Sequence, residues 1–267
     1  MIAASLVAAV PAPAQKPGRA PAAACRFELV GSGRVVAVAD GRSFALDDGR
    51  EVRLAAIEAP PAPQPGETGP RAAVGAAAKA ALEALVLGQT VELHQREQVS
   101  DRYGRILAYA SVPAGAEPSI AHALVARGFA RVAASVDDPA CAAELLSRER
   151  VARNQRLGLW GEPDYAVIGA ESGAELLGQQ GHFAVVEGKV ASVRESGGTI
   201  YMNFGRRWSQ ALTVTILKRH ERSFTLAGLQ PDRLVNLRLR VRGVIEERSG
   251  PRIEATRPEQ IEIAEGK

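Results

Sequence analysis

Aromatic residues are scarce: six Phe, four Tyr and two Trp make up 4% of 267 residues. Each must therefore serve either a core or a binding face. Histidine is no richer, with four residues, and His94, His122, His182 and His220 are scattered without the spacing of metal ligands. No glycine-rich phosphate loop and no Cys/His cluster is present, which removes the usual nucleotide-loop and structural-zinc readings. After the N-terminal segment no apolar run is long enough to span a membrane. Cysteine is limited to Cys25 and Cys141. Paired, they fit an oxidising compartment and close a loop stabilising by about 4–5 kcal/mol in the chain-entropy picture. Two free buried thiols are the cytosolic alternative, and a disulfide is the expectation.

What is present is ordinary globular material, 46% hydrophobic, in a chain long enough for two compact domains or one large one. The formal charge of +3 is uneven. Residues 25–161 carry 16 basic and 16 acidic side chains, whereas residues 181–267 carry 15 basic against 10 acidic. The second half thus offers the stronger pull on an anionic partner, unless the excess is simply a solvated basic face. At the N-terminus an apolar run from Ile2 to Val10 precedes the small-x-small site Ala12-Pro13-Ala14. This is the core and cleavage end of a secretory leader without its charged start. The expectation is a truncated leader and linker over residues 1–24 and an exported protein, periplasmic or secreted. A disordered Ala/Pro tail is the alternative.

From Phe27 onward, short strands alternate with turns: 27–39, 43–46 after Asp40-Gly41, and 51–57 after Asp47-Asp48-Gly49. A Pro/Gly loop follows, then an Ala/Leu-rich helix over 71–87 stopped near Gly88. Strands at 90–93 and 106–112 come next, then helices at 120–127 and 139–156. Five strands with a helix before the fourth predict a mainly β fold with helices (α+β), an OB-type five-stranded barrel with added helices, over residues 25–161. Residues 162–180 read as a surface-packed linker. Residues 181–267 read as a second OB-like β-barrel, with strands at 183–193, 199–204, 212–217, 234–246 and 252–263 and a helical insert near 219–228.

The order Asp40-Gly41-Arg42-Ser43, then Arg53-Leu54-Ala55-Ala56-Ile57-Glu58-Ala59-Pro60, then Asp101-Arg102-Tyr103-Gly104-Arg105 resembles the staphylococcal nuclease-like (thermonuclease) family. The resemblance extends to the helix-to-turn segment Ala123-Leu124-Val125-Ala126-Arg127-Gly128-Phe129-Ala130 and covers roughly residues 27–161. It implies an OB barrel that hydrolyses phosphodiesters. Two arginines would clamp the phosphate, two carboxylates and a carbonyl would hold calcium, and a glutamate would act on the attacking water. That division suits the chemistry, because a hard cation takes oxygen ligands and guanidinium matches phosphate.

Placed on this sequence, the resemblance puts Arg53 and Arg105 at the clamp positions and Glu58 at one calcium position. Ala59 is in place to give a carbonyl, and Asp40 is the aspartate that opens the family's turn. Two positions depart: Arg42 stands where the second metal-ligating aspartate belongs, and Pro61 where the base glutamate belongs. Ala134 also replaces a nucleotide-contacting Tyr, while Tyr103 is kept. The reading is a metal-poor site in which Arg42 donates to Glu58 or Asp40 and a phosphate is gripped but not readily cut. Loss of a general base alone costs about 10²–10⁴-fold in rate. Glu67, in the loop after Pro61, is the candidate substitute base. The structural alternative makes Arg53 a partner of Glu58 or Asp101, and makes Arg105 a brace for the turn after Asp101.

In the second half, Tyr201, Arg206 and Trp208 interleave aromatic and cationic groups in the manner of a single-strand binder. Tyr201 and Phe204 are an odd number apart, so at least one belongs to the core. Arg238, Arg240 and Arg242 alternate and share one face. The expected function is an exported nuclease-family protein that binds nucleic acid or a phosphorylated ligand through a catalytically impaired site. No cofactor is expected, and calcium only if the protein is active. The alternatives are an active calcium-dependent phosphodiesterase with a substitute base, and a structural envelope module.

Overall fold

The computed structural model describes residues 25, 27–97, 99–113, 115–136, 138–207 and 209–264. The leader expected over residues 1–24, and Trp208, lie outside the described residues. The fold is mixed α+β. Its N-terminal part opens with β1 (Glu28–Asp40), β2 (Ser43–Leu46), β3 (Glu51–Leu54) and the short β4 (Ile57–Glu58). Helix α1 (Pro70–Val86) separates these from β5 (Thr90–Gln95) and β6 (Ile106–Ser111). Strands β1, β2, β3, β6 and β5 close into a barrel, with β3 and β6 parallel. The long β1 serves both sides because register shifts bend it, so it pairs with β2 over its second half and β5 over its first.

Alternation places Val52 and Leu54 of β3 in the core and turns Arg53 between them outward. Helix α1 begins on a proline and buries Ala72, Gly75, Ala78, Leu82 and Val86, one stripe at helical spacing. Gly75 is required there, since a Cβ would collide with the carbonyl oxygen of Pro61. That close approach seats the proline loop against α1.

Helix α2 (Ile120–Ala126), the short β7 (Arg131–Val132) and α3 (Pro139–Asn154) complete the first part. Asp138 caps α3 by accepting from the Cys141 amide at 2.8 Å. β7 pairs with β4, setting Glu58 opposite Arg131. A disulfide joins Cys25 to Cys141 and ties the start of the barrel to α3.

Residues 162–180, expected as a linker, hold β8 (Ile168–Gly169) and α4 (Gly173–Gly178). They bury Tyr165, Ile168, Ala170 and Leu176, and β8 adds to the edge of the next sheet. The acidic, Gly/Pro-containing composition hid these few apolar anchors.

The remainder comprises β9 (Phe183–Lys189), β10 (Ser192–Ser196), β11 (Thr199–Asn203), β12 (Thr213–Leu217), α5 (Glu221–Leu226), β13 (Arg238–Val244), β14 (Glu246–Glu247), β15 (Pro251–Glu254) and β16 (Ile261–Ile263). They form a five-stranded sheet, β10-β11-β12-β15-β14, and a four-stranded sheet, β16-β13-β9-β8. β12 and β15 pair in parallel, as β3 and β6 do, and β9 and β13 pair antiparallel, as β1 and β5 do. The hydrogen-bond ladder changes partner at Val190 and Ala191, so the strand expected over 183–193 is two strands. The strand expected over 252–263 is likewise interrupted, by a 3-10 turn at Pro258–Gln260.

The two parts meet through buried charge. Arg242 of β13, fully buried, donates to both carboxylate oxygens of Glu149 on α3 at 3.0 Å and to the Val132 carbonyl at 3.1 Å. Nη2, one of the two nitrogens on Glu149, also donates to Glu262 at 2.5 Å. Arg240 and Arg238 share Glu187. The arginine face of β13 thus runs from an exposed end at Arg238 to a buried one at Arg242, which reaches the first part. No described helix is long and apolar enough to cross a membrane.

Candidate functional site

A cleft of about 620 Å³ opens where the barrel meets the C-terminal unit. Its barrel side carries Asp40, Arg42, Arg53, Glu58, Ala59 and Pro61, with Glu67 and Arg71 beside them. The facing wall is Gln179, His182, Phe183 and Val244. Asp40 turns the chain by accepting from the Arg42 amide at 2.8 Å. This aims the Arg42 side chain back at β4, where Nη1 lies 2.6 Å from Glu58 Oε2 and donates to the Ile57 carbonyl at 3.0 Å. Both side chains of the pair are largely covered, 16% and 29% exposed, so solvent screens them less than a surface pair.

Arg53 lines the same cleft and makes no ion pair or side-chain hydrogen bond among the described residues. Arg71 is held by Asp164 at 2.8 Å, bridging α1 to the segment after α3. Glu67 turns one oxygen to the Gln64 amide at 2.9 Å, which folds the loop on itself while the residue stays on the cleft edge. At the back, Arg131 donates to the Phe183 carbonyl at 2.9 Å and lies over the Phe183 and Tyr165 rings, 4.9 and 5.4 Å from their centres. Burial lowers its pKa to about 10, against the opposing pull of Glu149, Tyr165 and Glu58. Its Nε is buried without a partner.

The calcium that the family resemblance implies does not fit these donors. Glu58 is engaged by a guanidinium, Asp40 by a backbone amide, and no group of three candidate ligands exists among the described residues. Four arginines, Arg42, Arg53, Arg71 and Arg131, and four carboxylates, Asp40, Glu58, Glu67 and Asp164, line the cleft. The site is therefore near neutral, with Arg53 the cation least committed to an internal acceptor.

The structure brings together Asp40, Arg42, Arg53, Glu58 and Pro61. It does not bring Arg105 or Tyr103 into the lining. Arg105 is clamped by Asp101, with Nε and Nη2 at 2.8 and 2.7 Å from Oδ2, and lies over the Tyr103 ring at 5.2 Å. The slight burial of Asp101 raises its pKa, but the Arg105 guanidinium and the Tyr103 and Arg105 amides outweigh it and hold the carboxyl below its usual value. Tyr103 itself is 67% exposed. Tyr201 and Arg206 belong to the C-terminal unit: Tyr201 is half-buried in a separate groove, Arg206 is exposed, and Phe204 is core.

Sequence reasoning missed the whole facing wall. Arg131 had a weak signal, a lone cation among apolar neighbours in 129–132. Gln179 and His182 had none, because nothing local announces which surfaces two folded units press together. No curated protein matches the chain. Residues 51–162, which hold Arg53, Glu58, Pro61 and Arg105 but not Asp40 or Arg42, match the family model of the staphylococcal nuclease homologue.

Proposed function

We propose that the protein uses a nuclease-type barrel to bind nucleic acid or a phosphorylated ligand in this cleft without readily hydrolysing it. The observation that carries the reading is the Arg42–Glu58 pair at 2.6 Å, a tethered positive charge on the carboxylate that calcium would need. Pro61 leaves no carboxylate at the base position, and Arg53 retains a guanidinium suited to a phosphate. The cleft's near-neutral balance and its second wall favour one phosphate group over a long run of them. A second OB-like unit is part of the same proposal, supported by the parallel and antiparallel strand pairings that the two halves share. Export to the periplasm or exterior is supported by the Cys25–Cys141 disulfide. In this reading Arg105 braces its own loop, and calcium matters only if an active enzyme exists.

Calorimetric titration with a dinucleotide and with inorganic phosphate tests the cleft. Arg53→Ala is expected to weaken binding about tenfold or more, as for a charge-assisted hydrogen bond. Equal affinity in a folded Arg53→Ala protein would remove the cleft from consideration.

A further inference from the structure

The outward face of the five-stranded sheet in the C-terminal unit carries a second constellation. Cross-strand pairing sets Arg194, Tyr201, Thr215 and Glu254 in one row, and Ser192, Asn203, Thr213 and Arg252 in the next. The intervening Ile200, Met202, Val214 and Ile216 are buried, so both rows lie on the face opposite the core, covered at Thr215 and open at Arg194, Tyr201, Asn203 and Thr213. Asn203 Nδ2 donates to Ser192 Oγ and accepts from Thr213 Oγ1 through Oδ1, both at 3.2 Å, which locks the second row. The turn between β14 and β15 stands over this face and closes a groove of about 420 Å³. That is within the size range of a small-ligand site.

The groove is cationic where the cleft is neutral. Arg194, Arg248 and Arg252 line it together with Tyr201. Arg194 is exposed and makes no ion pair among the described residues. Arg248 is 71% exposed and only loosely near Glu246, at 3.9 Å. Arg252 uses one nitrogen on Glu246 at 2.6 Å, while its Nε is buried with no acceptor.

We propose that this groove binds a nucleotide unit of single-stranded nucleic acid, with the base on the Tyr201 ring and flanking phosphates on Arg194, Arg248 and Arg252. A π-face accepts any base, and guanidinium groups accept phosphate in a charge-assisted, directional way. The Asn203 amide is already committed to Ser192 and Thr213, leaving little to read a base edge, so binding tolerates sequence. This inference stands apart from the cleft: the strand-binding surface and the nuclease-type pocket are different places.

A salt titration of a fluorescent oligothymidylate, beside a free mononucleotide and an abasic phosphate chain, tests it on the whole protein. The wild type is expected to bind the oligomer more tightly than either control. Tyr201→Leu should lose about tenfold or more in affinity, the magnitude of one stacked base. Tyr201→Phe should retain it. Arg194→Ala and Arg248→Ala should each flatten the log–log salt slope by about 0.7. Oligomer binding that Tyr201→Leu leaves intact in a folded protein overturns the proposal. So does binding that Arg53→Ala removes, which would put the strand in the cleft, or a mononucleotide bound as tightly as the oligomer.

Discussion

A guanidinium tethered by its own backbone differs from a cation drawn out of solution, because it cannot leave and cannot add coordination sites for a substrate oxygen. Arg42 is fixed in this way by Asp40 behind it and by Glu58 and the Ile57 carbonyl ahead. The departures expected at Arg42 and Pro61 rest on their places inside spaced sequence motifs. The direction of the Arg42 side chain was foreseen as one of two options, and Glu58 is its ion-pair partner. Arg105 illustrates the limit: its motif allowed both a phosphate clamp and a brace for the turn after Asp101, and only the geometry shows that Asp101, four residues earlier, holds it. If the barrel retains the geometry of a nuclease, the double substitution Arg42→Asp, Pro61→Glu should create calcium-dependent phosphodiester hydrolysis, read by release of acid-soluble nucleotide. No gain in a folded double variant would count against the placement of those two positions.

At the level of elements, the barrel was readable because its strands announce themselves by alternation and the tight turns after β1 and β2 by Asp-Gly. Helix α1 was readable from its stripe of Ala and Leu. What failed to show were interruptions inside long strands. The hand-over at Val190 and Ala191 leaves no compositional mark, because it depends on which neighbouring strand lies alongside. Residues 162–180 failed for the opposite reason, since an acidic surface conceals a few buried anchors. The seat of the proline loop on α1 depends on Gly75, whose missing side chain makes room for the Pro61 carbonyl. Gly75→Ala should displace the cleft edge and lower the urea midpoint. A variant with unchanged midpoint and unchanged ligand binding would show that the loop seats elsewhere.

For the whole molecule, two long-range links set the shape. The Cys25–Cys141 disulfide spans 116 residues, and constraining such a loop stabilises by about 5 kcal/mol in the chain-entropy picture. Reduction, or Cys141→Ser, should lower denaturant stability by an amount of that order. The other link is the buried Arg242–Glu149 pair, for which Arg242→Ala should cost about 3–5 kcal/mol by stranding a carboxylate. Burial raises the Glu149 pKa, but Arg242, the Val132 amide and Arg153 together outweigh it and hold the value below 4.5. A depressed carboxylate pKa stabilises the fold fully above the unfolded value of about 4.5 and loses that effect as pH falls towards the folded value. Wild-type and Glu149→Gln unfolding curves should therefore differ most near neutrality and converge in acid. Curves that stay parallel to pH 3 would rule out the pair as the source.

Hydrolysis decides the reading of the cleft. The protein is incubated with single-stranded DNA and with RNA, in calcium and in chelator, and the strands are sized. The expected result is intact strands under both conditions. Calcium-dependent cleavage abolished by Arg53→Ala would contradict the account, because it would require a metal and a base at a site where Arg42 occupies Glu58 and Pro61 offers no carboxylate.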